Sequence, residues 1–369
     1  MTDPLNPINL QGQDESGDQG DAVKFSPLTP DDAPKSQWRR WHLPVLFLFA
    51  IATFLIILRR NAPAPFQHNE GAIFGTFYHF TYQAADDLHA ELKAELNRVD
   101  NSLSMFNPQS TLSRINQGED IEVDSLFRRV FTLSQQVSEA TDGAFDITVA
   151  PLVNAWGFGF KEGQLPDSLA VDSLRQSVGY RTISLTPDCH LHRDDPRTIL
   201  DCSAVAKGFG VDIVADFLRA RGILNYMVEI GGEIVVSGTN PKGQPWHVGV
   251  NKPDDDPTSQ NSQLQTVLNL TDCALATSGN YRNFYITEDG RRLAHTIDPA
   301  TGYPVQHSLL SSTVIAPTCA CADAFATAFM VLGIERAKQV LSHHPELQVY
   351  FIYDSAGINQ TFSTIPLPE

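Results

Sequence analysis

The feature that most constrains this chain is an uncharged apolar run, Leu43 to Leu58 (LPVLFLFAIATFLIIL), bounded by Arg39 and Arg40 on one side and by Arg59 and Arg60 on the other. As a helix the run rises roughly 24 Å at about 1.5 Å per residue. That is a little short of a hydrocarbon core of about 30 Å, so Trp41, His42 and the arginines must complete the interfaces. A cleaved signal peptide fits less well. Some forty residues precede the run, and Ala62-Pro63-Ala64-Pro65 carries prolines where a small-residue cleavage site would lie. The expected organisation is therefore a polar tail at 1–40, a single transmembrane anchor at 41–60, a linker at 61–70 and a functional body at 71–369. The tail is rich in Asp, Asn, Gln, Gly and Pro and lacks the apolar surface to offset ordering entropy, so disorder is expected there. Orientation is weakly encoded, since only Lys35 tips the basic residues toward an inside amino terminus.

The rest of the chain is ordinary globular material, 42% hydrophobic and 19% charged. Its 43 acidic residues against 26 basic ones leave a net charge of -17, which argues against nucleic acid as a partner. Five cysteines, none in a C-x-x-C pair, exclude a disulfide scaffold and a structural zinc site.

Periodicity in the body predicts strands over Ile73–Tyr82, Thr182–Leu185, Trp246–Asn251, Thr266–Leu270, Asn283–Ile286, Ser312–Ala316 and Val349–Tyr353. It also predicts two strands meeting at Gly231-Gly232 within Met227–Val236. Helices are expected over Ala85–Asn101, Ser125–Ala140, Val211–Arg221, Cys321–Gly333 and Ile334–Ser342. No strict βαβ alternation or internal repeat is visible, and the expected class is α+β, one large domain with two lobes.

Four segments carry chemistry. Asp201 to Gly210 runs through small residues into the Val211 helix, so backbone N–H groups and Lys207 could meet a phosphate there; a plain strand-to-helix turn with a surface Asp201–Lys207 pair explains the same residues. Asp323 and Thr327 are four apart and share a helix face otherwise lined by alanine and phenylalanine. That pair suits a hard cation such as Mg²⁺, although local hydrogen bonding of the two is the alternative. Leu275–Arg282 and His295–Pro304 are dense in turn formers, with His295 at the entrance to the second as either a structural or a catalytic histidine. Thr141–Gly159, containing Asp146, crowds glycine and aromatic residues in a way that suits a planar heterocycle or plain core packing.

Taken in order, these segments resemble the ApbE-type FAD:protein FMN transferases. The resemblance is carried by Gly75-Thr76, Ser104-Met105-Phe106 with Ser110 and Asn116, DGAFDITVAPLVNAWGFG, the Asp201–Gly210 loop, EIGGEIVVSG, ATSGNYR, HTIDPATGYP and ADAFATAFMVLG. It implies transfer of the FMN part of FAD, with Mg²⁺, onto a Thr or Ser hydroxyl of a client flavoprotein, releasing AMP. It also implies clients such as the sodium-translocating NADH:quinone reductase and the Rnf complex, and a place on the outer, periplasmic face of the bacterial inner membrane. By the same resemblance Asp323 and Thr327 are the side-chain Mg²⁺ ligands, and Ala204 and Ala320 offer backbone carbonyls. Phe74 and Phe106 lie against the isoalloxazine, with Phe74 standing where the family has methionine. Ala144, Phe145, Asp146, Asp201 and Lys207 contact FAD, and His295 lies near the diphosphate. The base that takes the client hydroxyl's proton is left open between His295 and a carboxylate such as Asp323. Hydrolysis of FAD to FMN and AMP, or flavin binding without turnover, are the competing functions.

Overall fold

A computed structural model of the chain describes residues 38–60, 63–158, 165–253, 263–280, 284–286 and 292–366. The chain divides after Pro63. Before that point, the apolar run folds as helix α1 (Trp38–Arg60). Leu43, Leu46, Phe47, Leu48, Phe49 and Phe54 are all exposed on it. Among the described residues no helix is long and apolar enough to cross a membrane; the side chains at both ends of α1 lie outside them. Most of the expected polar tail and the first linker residues lie outside them as well.

The body, Ala64–Glu369, is one compact unit. It opens on a hairpin. Phe74 and Gly75 both take positive φ (53° and 74°) and turn the chain, which splits the aromatic stretch read as one strand into β1 (Phe66–Ile73) and β2 (Thr76–Gln83). β1 therefore takes in residues 66–70, which were expected to be linker. Helices α2 (His89–Leu103), α3 (Thr111–Asn116), α4 (Ser125–Ala140), α5 (Ala150–Ala155) and α6 (Ser168–Arg175) follow, and then a small ribbon of β3 (Ile183–Leu185) and β4 (Leu191–Arg193). Helix α7 (Ser203–Ala220) leads into β5 (Tyr226–Ile230) and β6 (Glu233–Ser237). Next come β7 (Trp246–Asn251), β8 (Leu264–Leu270), β9 (Cys273–Gly279), the short pair β10 (Phe284–Ile286) and β11 (Arg292–Ala294), and β12 (Leu309–Ala316). The chain closes with α8 (Cys319–Leu341), β13 (Gln348–Ser355) and β14 (Ile358–Ser363).

Eight strands form one sheet in the order β1-β2-β5-β6-β9-β12-β13-β14, with every neighbour antiparallel. Alternation along the strands gives the sheet two apolar faces. On one, Tyr78, Phe80 and Tyr82 of β2 and Val228 and Ile230 of β5 pack on Leu92 and Leu96 of α2 and on Val211, Val214 and Leu218 of α7. The core continues on the helical side through α4 and α8, where Phe127, Val130, Phe325 and Phe329 meet Val314 and Phe351. The opposite face buries Ile234, Val236 and Ile352 under the β7–β8 hairpin, through Trp246, Val248, Val250, Leu268 and Leu270. Within α8 the backbone leaves helical geometry at Gly333 (φ 72°, ψ 170°), where the sequence placed a boundary between two helical segments.

Candidate active site

Helix α7 begins at Ser203, two turns ahead of the expected Val211. Asp201 accepts the Ser203 N–H at 2.8 Å, and the small residues that follow are helical. Lys207 is therefore in the second turn of a helix, not in a loop ahead of one. The small side chains serve a close crossing with α8. A Cβ built on Gly208 would stand 2.4 Å from the Cys319 carbonyl oxygen, so only glycine fits there.

That crossing brings α7 onto the face of α8 that carries Asp323 and Thr327. Asp323 is 2% exposed and its Oδ2 accepts the Gly208 N–H at 3.1 Å. In an α-helix this N–H also points to the carbonyl of Ala204 one turn back, so Asp323 and that carbonyl face the same donor. Thr327 Oγ1 lies 3.2 Å from Ser278 Oγ at the end of β9. Lys207 Nζ lies 3.0 Å from Glu233 Oε1 and 3.7 Å from Asp323 Oδ2. Burial acts to discharge Lys207, but the Asp323 and Glu233 carboxylates outweigh it and hold the amine above the ordinary lysine range. Burial likewise pushes the Glu233 carboxyl up, opposed by Lys207. Glu233 Oε2 is buried with no hydrogen-bond partner among the described residues.

These groups lie along a cleft of about 820 Å³, which is in the range for a dinucleotide-sized ligand. Phe106, Ala144, Phe145, Asp146, Asp201, Ala204, Lys207, His295, Asp323 and Thr327, each singled out in the sequence, all line it. Phe106, in the cleft lining, is 80% exposed. His295 faces Phe158 edge-on, with ring centroids 6.3 Å apart. The Asp146 carboxylate accepts the Thr148 N–H (2.8 Å), the Thr148 hydroxyl (2.6 Å) and the Tyr180 N–H (2.8 Å). Burial raises it and these three donors oppose that, so Asp146 chiefly fixes the shape of the wall.

Two expected residues fall elsewhere. Phe74, in its positive-φ turn, lays its ring against Gly210 of α7 and does not line the cleft. Ala320 sits in the first turn of α8, where its N–H donates to Asp212 Oδ2 at 2.9 Å, and it lines a separate depression. Its carbonyl is not part of the cleft wall. Glu233 and Ser278, which sequence reasoning did not single out, belong to the site; the one hint was an acidic residue heading the apolar run Glu233–Val236.

Among the described residues no three His, Cys, Asp or Glu side chains come together. The oxygen groups that line the same cleft are the Asp323 carboxylate, the Thr327 hydroxyl and the backbone of Ala204. Such a set fits a hard cation that completes its shell with phosphate oxygens and water.

Comparison with known proteins agrees with this architecture. The fold is that of solved flavin transferases: the "Flavin Transferase ApbE from Vibrio cholerae" superposes with a TM-score of 0.74 at 36% identity, covering 82% of this chain and 97% of that one. The apo form of the Pseudomonas stutzeri flavinyl transferase ApbE gives a TM-score of 0.73 at 30% identity, covering 82% and 96%. The chain belongs to the ApbE family, whose sequence profile matches residues 74–351. The FAD:protein FMN transferase of Vibrio cholerae is 38% identical over 305 residues, 80% of this chain and 90% of its own length. That of Haemophilus influenzae is 39% identical over 301 residues, 76% and 85% of the two chains.

Proposed function

We propose that this protein transfers the FMN part of FAD to a Thr or Ser hydroxyl of a client flavoprotein subunit and releases AMP, in a reaction that requires Mg²⁺. The observation that carries the reading is the meeting of Ala204, Lys207, Asp323 and Thr327 in one dinucleotide-sized cleft. Asp323, Thr327 and the Ala204 carbonyl would hold Mg²⁺, which when bound supplies charge neutralisation on the diphosphate. Lys207 offers a permanent positive charge to the same phosphates, in a site where burial strengthens every electrostatic contact. In the transfer, the client oxygen forms a bond to the FMN phosphorus, the bond from that phosphorus to the bridging oxygen breaks, and AMP leaves with that oxygen. The client hydroxyl's proton passes to a base in the cleft, for which His295 and Asp323 are the candidates. Phe106 covers the flavin ring, and Asp201, Ala144 and Phe145 line the nucleotide.

The exposed apolar surface of α1 supports a single-pass anchor. The reading places the body on the periplasmic side of a bacterial inner membrane, beside clients in membrane redox complexes.

The test is incubation of the full-length chain in detergent with FAD, Mg²⁺ and a candidate client subunit, followed by in-gel flavin fluorescence and mass spectrometry of the client. The expected result is an FMN adduct that forms only with Mg²⁺ present. Release of FMN and AMP with no adduct on any client would replace transfer by hydrolysis, and persistence of intact FAD would leave only binding.

A further inference from the structure

Glu233 is an acidic group of the cleft that the proposed reaction leaves without a task. Unlike Glu229, which holds His79 and the Gly232 N–H, it keeps one oxygen without a partner among the described residues. It follows Gly231 and Gly232, both at positive φ (62° and 99°), and its backbone pairs with Ile230, so the head of β6 fixes where the side chain starts. Its side chain is almost fully buried, one oxygen is 3.0 Å from Lys207 Nζ, and the other has no partner among the described residues. A buried carboxylate with an idle oxygen is costly to keep unless its charge is used. Lys207 shows the use. Its ammonium stands between two buried carboxylates and lies closer to Glu233 (3.0 Å) than to Asp323 (3.7 Å). The approach to Asp323 is on Oδ2, which already receives the Gly208 N–H. Among the described residues no hydrogen bond is made to Asp323 Oδ1.

We infer that Glu233 is a positioning residue that draws the Lys207 ammonium away from Asp323, so that Asp323 keeps an oxygen open to a divalent cation. The inference rests on the cation site proposed above. Without the Glu233 charge, Lys207 has one carboxylate left to pair with, and a closed Lys207–Asp323 pair competes with metal for the same oxygens. Glu233 then acts on cation affinity through Lys207 and touches neither cation nor substrate.

The experiment is titration of the full-length protein in detergent with Mn²⁺, free Mn²⁺ being read by electron paramagnetic resonance in the absence of nucleotide. Glu233→Gln is expected to weaken Mn²⁺ binding about tenfold, in the range that supporting residues around metal sites show. Adding Lys207→Met to it should restore binding to about the wild-type level, because the competing ammonium is gone. Lys207→Met alone should bind Mn²⁺ at least as tightly as wild type, and it keeps the test decisive if Glu233→Gln fails to melt cooperatively. Unchanged binding in Glu233→Gln overturns the inference. So does a loss that Lys207→Met does not repair, and so does weaker binding in Lys207→Met alone. Asp323→Asn separates the two levels: if it binds Mn²⁺ like wild type, the cation site itself is misplaced, whatever Glu233 does.

Discussion

Replacing Gly208 by alanine tests whether the crossing of α7 and α8 sets the geometry of the cleft. The new methyl carbon would lie 2.4 Å from the Cys319 carbonyl oxygen, 2.6 Å from its carbonyl carbon and 2.9 Å from Ala320 Cα. All three are backbone atoms at the start of α8, and none can swing aside as a side chain would. Ordinary contact begins at about 3.4 Å, so the helices must part locally by about 1 Å. Overpacking of this kind costs about 1–3 kcal/mol, while alanine in a helix interior returns about 1 kcal/mol relative to glycine. The net loss of stability is then ~1 kcal/mol, or a few degrees in Tm. Function should fall much further. Gly208 donates its N–H to Asp323 at 3.1 Å, and a bond stretched by about 1 Å is no longer made. The same movement carries Ala204 and Lys207 away from Asp323, and a misplacement of about 1 Å in a reacting site costs about 100-fold in rate. Gly208→Ala should therefore melt cooperatively, a few degrees low by circular dichroism, and attach flavin about 100-fold more slowly by in-gel fluorescence. A wild-type rate would refute the reasoning, as would a rate loss no larger than the fraction unfolded.

Asp323→Ala should lower Mg²⁺-dependent flavin attachment by about 100-fold or more while leaving a cooperative melt, and an unchanged rate would remove Asp323 from the cation site. Burial pushes Asp212 up to about 6, against the pull of the Ala320 and Cys319 N–H groups that it accepts at the head of α8. The native state then keeps a proton that the unfolded chain releases between about pH 4 and 6, so this residue's contribution to stability falls as pH rises through that window, by at most ~3 kcal/mol. Urea melts of wild type and Asp212→Asn at pH 4.5 and 6.5 should show the wild-type advantage shrinking at the higher pH; the same difference at both would contradict the assignment. A chain starting at residue 64 should stay in the supernatant after ultracentrifugation of lysed cells, whereas the full-length chain should pellet and resist carbonate extraction. Release of the full-length protein by carbonate would argue against a membrane span.

The parts of the molecule legible in the sequence are those whose periodicity has one cause. Helix α4 follows its predicted bounds, and the strand pair at Gly231-Gly232 and the break at Gly333 stand where glycine interrupts an apolar pattern. Strand β9 is hidden in the sequence because Leu275–Arg282 is dense in turn formers and Cys273–Gly279 has only Thr277 as a β-branched residue and no aromatic one. The structure supplies the reason: Ala274 and Ala276 lie beneath helices that approach the sheet closely, and Thr277 and Ser278 turn toward the cleft. The start of α7 was missed on similar grounds, since its small residues are chosen for the α8 crossing and show no helical stripe. Asp323 and Thr327 were found because four-residue spacing fixes a helix face whatever surrounds it. Glu233 escaped because an acidic residue after two glycines reads as solvent-facing, and only the three-dimensional approach of α7 buries it. Phe74 was placed at the flavin by its neighbours in sequence, but the left-handed turn it occupies sends its ring to α7.

The walls of the cleft come from segments scattered between Met105 and Val331, on a sheet whose central strands are far apart along the chain. A nascent polypeptide emerging residue by residue has no partial version of this pocket to offer. On the proposed reading, a flavin nucleotide is held only once α8, which carries Asp323 and Thr327, has been synthesised and docked.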